Sequence, residues 1–399
     1  MTFDQSARSP DQPGPVQPSP EPVRPVWTAP VARRGGAGTV ALAVTGLTIA
    51  ALALLLVFAY LASFLGPAGL TLSLILALIP LTAVLLTVRW IDRWEPEPRP
   101  ALWFAFLWGA GVSVVTALVF DLGVQLTIRA SGGALAQNDM LTAVIQAPIV
   151  EETAKGFGVL LLFWAARRHF DGPVDGVVYA ATIAGGFAFS ENIQYFGTAM
   201  ADGGAGILGV TFLLRGVFSP FAHVMFTACI GLALGIAARR TGTLGAAGYF
   251  LLGLVPAVVL HSLWNGAFAF FGGGEASPIM YYFLVQVPLF LGAIAVVNML
   301  RRQEMRVTQA RLGDYAVAGW FTQAEVNMLA TPAGRRQARA WAARQPPGTR
   351  AAMRRFITDA TRLAFARERQ LRLQSGPLDR TDEARLLTRL TADRAVVLG

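Results

Sequence analysis

The chain has 399 residues, 54% of them hydrophobic and only 14% charged, with a formal net charge of +9. Soluble domains carry roughly 25% charged residues, so the composition excludes an ordinary soluble domain and points to a polytopic membrane protein. The positive charge is local: residues 301–399 hold 19 Arg against nine acids, which leaves the first 300 residues close to neutral.

Residues 1–36 carry eight Pro and few apolar side chains and are predicted to be disordered. Eight apolar runs follow, at about 38–64, 69–88, 101–127, 141–166, 174–199, 208–236, 244–271 and 278–299. Most reach the ~20 residues that a bilayer-crossing helix needs. The first is too long and too internal for a signal peptide. The expected fold is therefore an all-α polytopic membrane protein, with about eight transmembrane helices in one domain over residues 37–300. The single cysteine, Cys229, lies in the sixth run, so an intrachain disulfide is excluded. Beyond residue 300, stretches such as FTQAEVNMLATPAG (321–334) and RAAMRRFITDATRLAFARERQLRLQ (350–374) alternate helical periodicity with turns. They predict a small, basic helical tail facing the anionic inner leaflet. No recognised nucleic-acid module occurs, and no nucleic-acid partner is expected.

The loops orient the helices. Arg33, Arg34, Arg89, Arg93, Arg99, Arg167, Arg168, Arg239, Arg240, Arg301 and Arg302 fall in connections on one side. The opposite side carries Arg129 beside Asp139, Asp202 and Glu275. By the positive-inside rule both termini are cytoplasmic.

The fourth run, APIVEETAKGFGVLLLF (147–163), contains Glu151, Glu152 and Lys155, the only lysine in the chain. Each such group costs at least ~2.5 kcal/mol at the centre of a membrane helix, so a compensating role is expected. At a rise of about 1.5 Å per residue, Glu151, Glu191, His223 and His261 all lie ~20–25 Å from the cytoplasmic ends of four successive runs. Lys155 sits one turn from both Glu151 and Glu152, and His261 shares a face with Asn265. Asp121 and Arg215 fall nearer the outer surface, where they are placed to pair. Two adjacent carboxylates in a low dielectric cannot both ionise easily, which sets an acid beside a base. Imidazoles orient water, and an Asn amide donates to an oxyanion. The set reads as hydrolysis by an activated water within the membrane. Glu191, His223 and His261 are also a donor set suited to zinc, so a metal site and a metal-free, glutamate-activated water both stay open. A Gly-rich phosphate loop, a serine elbow and HExxH are absent from the sequence.

EETAK (151–155) is an EExxK motif, FAFSEN (187–192) fits FxxxEN, and His223 and HSLWN (261–265) follow in order on later runs, after a DRWEPEP loop at 92–98. Over about 90–300 this set resembles the PrsW family of bacterial intramembrane proteases, distant relatives of the CAAX prenyl proteases. The resemblance implies a multi-pass protein of the bacterial inner membrane that cleaves single-span membrane proteins such as anti-sigma factors. It assigns Glu151 and Glu152 to water activation, Glu191 and His223 to holding that water or a metal, and His261 with Asn265 to the oxyanion side. Two departures from the CAAX pattern are Glu191, where a His would stand, and Lys155, which replaces a later Arg. A proton- or ion-coupled transporter is the alternative for buried Glu, Lys and His, but the repeated halves common in transporters are not found. A membrane scaffold presenting the tail is the third reading, and it makes the buried charges dispensable.

Overall fold

The computed structural model describes residues 37–132, 138–167, 169–242, 245–267, 280–373 and 377–398. The Pro-rich segment 1–36 and Glu275 lie outside them. Among the described residues there is no strand. An apolar chain in lipid has to satisfy every backbone N–H and C=O within its own segment, which favours helices throughout.

The helices are α1 (Ala37–Ile91), α2 (Arg99–Leu107), α3 (Val114–Ala130), the one-turn α4 (Asp139–Leu141), α5 (Ala147–Ala165), α6 (Pro173–Phe212), α7 (Ala222–Arg240), α8 (Ala246–Asn265), α9 (Val287–Val317), α10 (Gln323–Ala330), α11 (Pro332–Ala342), α12 (Thr349–Leu373) and α13 (Pro377–Leu398). Wider π-helical turns at Trp108–Ser113, Thr142–Gln146, Leu213–Phe218 and Tyr282–Gln286 join or extend several of them.

Among the described residues, five helical stretches are long and apolar enough to cross a membrane: Val40–Ile91, Arg99–Ala130, Pro173–Arg240, Ala246–Asn265 and Tyr282–Val317. The protein is therefore an all-α membrane protein. The first stretch holds two of the apolar runs, broken at Gly66, whose φ of 67° suits glycine and precedes Pro67. The third also holds two, broken at Gly203 and Gly204, and interrupted again between Phe218 and Ala222. Helix α5, with three ionisable groups among its 19 residues, stands apart from these five.

An 18-residue apolar segment of the stretch containing α6 and α7 is 61% buried, against 11% for one in α1, so that stretch forms the centre of the bundle. The two helices approach backbone to backbone. A Cβ on Gly231 would lie 2.1 Å from the Gly176 carbonyl oxygen, and one on Gly176 would lie 2.0 Å from that of Gly231. Small residues permit this close contact where lipid supplies no hydrophobic drive between helices. Phe163, Phe170, Tyr179, Ile183, Ile230 and Leu234 are fully buried around it.

The helix that begins as α9 continues to Val317 and leads into the tail. There α10 to α13 pack around Leu312, Val326, Leu329, Phe356 and Leu363. Thr322 and Glu325 form a reciprocal N-terminal cap on α10. The tail is fastened to the DRWEPEP loop: Trp94 Nε1 donates to Thr308 Oγ1 at 3.0 Å, and an Arg335 amine donates to the Trp94 carbonyl at 3.1 Å. Arg369 pairs with Asp171 in the loop after α5. In the DRWEPEP loop, Glu97 is buried and accepts from the Tyr179 hydroxyl. Burial, and then the nearby Asp175, push its carboxyl up to about 11.

Candidate active site

Helices α5, α6, α7 and α8 bring Glu151, Glu152, Lys155, Glu191, His223 and His261 into one connected cluster. Lys155 lies at its middle and has no exposed surface. Its Nζ is 2.6 Å from Glu152 Oε1, 3.2 Å from His223 Nδ1 and 3.6 Å from Glu151 Oε2, and it sits 4.1 Å from the centroid of the Phe187 ring. The spacing within α5 accounts for both carboxylate contacts, three and four residues back along one face.

The donor and acceptor roles follow from the partners. A carboxylate oxygen only accepts, so the 3.0 Å contact from Glu152 Oε1 to His261 Nδ1 sets the proton on Nδ1. His261 Nε2 is then an acceptor, and it faces Glu151 Oε2 across 3.8 Å. That oxygen is buried and has no hydrogen-bond partner. Two acceptors at this separation suit a water that donates to both, or a cation held between them. An ammonium only donates, so His223 accepts from Lys155 on Nδ1 and gives its Nε2 proton to Glu191 Oε2 at 2.8 Å. The rings of His223 and His261 are perpendicular, 5.0 Å apart.

Three supports were not visible in sequence. Thr227 donates to Glu152 Oε2 at 2.8 Å, completing that carboxylate. Trp108 donates to the Ala154 carbonyl at 2.9 Å, bracing α5 beside the acids. Arg215 binds Glu191, donates to Asn192 Oδ1 at 2.9 Å, and stacks on Tyr195 at 3.9 Å. The expected pairing of Arg215 with Asp121 does not form; Asp121 accepts from Gln125 instead. The break at Gly203 and Gly204 and the π-helical turn at 213–218 bring Arg215 to Glu191. Asn265 donates to the Ala143 carbonyl at 2.7 Å, tying the end of α8 to the turn before α5.

A cleft of about 360 Å³ adjoins the cluster, lined by Glu151, Glu191, Asp121, Gln146, Phe187 and Tyr195 among others. Glu152 is closed off from it, with no exposed surface, whereas 12% of the Glu151 side chain is exposed.

Glu151, His223 and His261 each offer one ligand atom, all within 4.8 Å of one another. A carboxylate with two imidazoles is a zinc-type donor set. Glu151 and His261 fit as they stand, since each turns an uncommitted acceptor toward the other. His223 has both ring nitrogens engaged and would join only by releasing Lys155 or Glu191. Glu191 itself is held by Arg215 and His223.

The family model for the PrsW family intramembrane metalloproteases matches residues 97–293, a segment that contains all seven candidate residues. Over that segment, just under half of the chain, the sequence is similar to the PrsW family. Protease PrsW of Clostridioides difficile is 26% identical over 191 residues, covering 48% of this chain and 76% of that protein. Protease PrsW of Geobacillus kaustophilus is 31% identical over 144 residues, 36% of this chain and 57% of that protein. Protease PrsW of Bacillus subtilis is 26% identical over 174 residues, 44% and 72% of the two chains. No solved structure matches significantly. With these matches the chain is an intramembrane endopeptidase, and the cluster lies within the matched segment. The Pro-rich head and the tail beyond residue 293 lie outside it.

Proposed function

We propose that the enzyme cuts single-span membrane proteins, anti-sigma factors and similar regulators among them, with a water activated by Glu151. The observation that carries this reading is the Glu151 oxygen that makes no hydrogen bond, opposite the acceptor nitrogen of His261, in a residue that lines the adjoining cleft. In this mechanism Glu151 takes the proton of the attacking water as it adds to the scissile carbonyl. Glu151 then returns the proton to the departing amine. His261 Nε2 orients the water, and Glu152 fixes the His261 tautomer from behind. Lys155 balances the charge of the carboxylates and, with Arg215, keeps Glu191 and His223 in place. Asn265 aligns the end of α8 with the turn lining the cleft.

Zinc, where present, would be held by Glu151, His261 and a released His223, and would supply Lewis-acid polarisation of the water or carbonyl. The proposed topology divides α1 at Gly66 and the α6–α7 stretch at Gly203–Gly204 and counts α5 as a span, giving eight crossings of a bacterial cell membrane with both ends inside. The tail then lies along the anionic inner leaflet. The test is purified enzyme in liposomes with a single-span peptide, with product mapping and metal analysis before and after chelation. Cleavage within the apolar segment is expected. Activity that survives chelation assigns the chemistry to Glu151 and water alone; activity lost and restored by zinc assigns it to the metal. An uncut peptide in active preparations would contradict the substrate class.

A further inference from the structure

Where the end of α1 meets the tail there is a second cavity, of about 250 Å³. Arg93, Arg301, Arg335, Arg336 and Arg339 line it, and no acid does. Among the described residues none of the five forms an ion pair, whereas Arg311, Arg355, Arg369 and Arg394 elsewhere in the tail pair with Glu368, Asp393, Asp171 and Glu325. The tail thus has acids for many of its arginines but not for these.

The cavity is also rigidly built. Arg335 is only 3% exposed; it donates to the carbonyls of Leu329 and Trp94 and to Thr361 Oγ1, and stacks on Trp94 at 3.4 Å. Arg301 stacks on Trp90 at 3.8 Å. A buried guanidinium without an anion is costly. Burial and then the neighbouring Arg339 push Arg335 down to about 9. Glu95 and Glu304 act on it from a distance, but neither forms an ion pair with it. Guanidinium forks suit phosphate oxygens.

Position selects the source of the phosphate. Trp90 closes the apolar part of α1 and is 44% exposed, and Arg301 directly follows the apolar run of α9. Tryptophan followed by arginine at the end of a span marks the headgroup level. We infer that this cavity binds the phosphate of an anionic phospholipid headgroup, which bridges α1 and α9 to α11 of the tail. The inference rests on the cavity and its level in the membrane, independently of the proteolytic mechanism.

The test is the melting temperature of delipidated full-length protein in neutral detergent, titrated with phosphatidylglycerol, phosphatidylcholine or inorganic phosphate. Phosphatidylglycerol is expected to raise it saturably and phosphatidylcholine to leave it unchanged. In the Arg336→Gln/Arg339→Gln variant the half-saturating phosphatidylglycerol concentration should rise about 30-fold, taking two headgroup contacts at typical strength. Both positions are at least partly exposed, so the unliganded melting temperature should hold. Arg344→Gln/Arg350→Gln, an equal charge change at exposed positions outside the cavity, should titrate like wild type. Three results would overturn the inference: an unaltered titration in the first variant, an equal loss in the second, or a full response to inorganic phosphate at the same concentrations.

Discussion

Glu152 accepts from Lys155 and His261 on one oxygen and from Thr227 on the other, whereas Glu151 turns an oxygen that makes no hydrogen bond toward His261. Glu152→Gln keeps the shape but presents an amide to groups that donate, so His261 loses its fixed tautomer. Cleavage should fall by about 10–100-fold, as for other residues that act by orienting a functional His. Lys155→Met leaves Glu152 buried without its cation, which typically costs ~3–5 kcal/mol. Melting in detergent should drop clearly for Lys155→Met and less for Lys155→Arg; wild-type melting in Lys155→Met would reduce the lysine to packing. Glu97 gives a pH test outside the spans. Its carboxyl rises from the ordinary 4.5 to about 11, so the fold takes up a proton there, and stability present below pH 4.5 is lost as pH climbs toward 11. Glu97→Gln should flatten the decline in melting temperature between about pH 6 and 9; a parallel decline in the variant would assign the effect to other groups. The acids and histidines were legible in sequence because ionisable groups stand out in apolar runs. Thr227 and Trp108 were not, since a threonine or tryptophan in a membrane helix has many ordinary reasons to be there.

At the scale of elements, the apolar runs located the helices, and their gaps at 64–69 and 199–208 hold the breaks at Gly66 with Pro67 and at Gly203 with Gly204. Hydropathy did not show the wide turn at Leu213–Phe218 or the interruption before Ala222, which fall inside the sixth run. They upset the depth arithmetic for Arg215, which was counted along an unbroken sixth helix and so placed to pair with Asp121. The continuation of α9 to Val317 was also hidden, because its polar half reads as tail. The contact between α6 and α7 yields a paired prediction. Gly231→Val would force a side chain into the Gly176 backbone and should cost at least ~1–3 kcal/mol, as overpacking does. Gly248→Ala meets nothing within 4 Å and should be neutral or slightly stabilising. Thermal melts of the two variants check this, and equal melting would contradict a tight α6–α7 seam.

For the whole molecule, four helices packed side by side supply the acids, the lysine and the histidines, while α1 and α9 flank them and the tail grips the loops after α1 and α5. The bundle thereby holds a charged cluster away from lipid and leaves one carboxylate oxygen beside a cleft. This oxygen, on Glu151, is the group proposed to activate the hydrolytic water. The most direct measurement is the rate at which reconstituted wild-type and Glu151→Gln enzymes cleave the same single-span peptide, with melting curves showing that both are folded. The expected result is a rate lower by on the order of 10²–10⁴-fold in the variant, the usual contribution of a general base, at unchanged melting; a folded Glu151→Gln enzyme that cuts at the wild-type rate would contradict it.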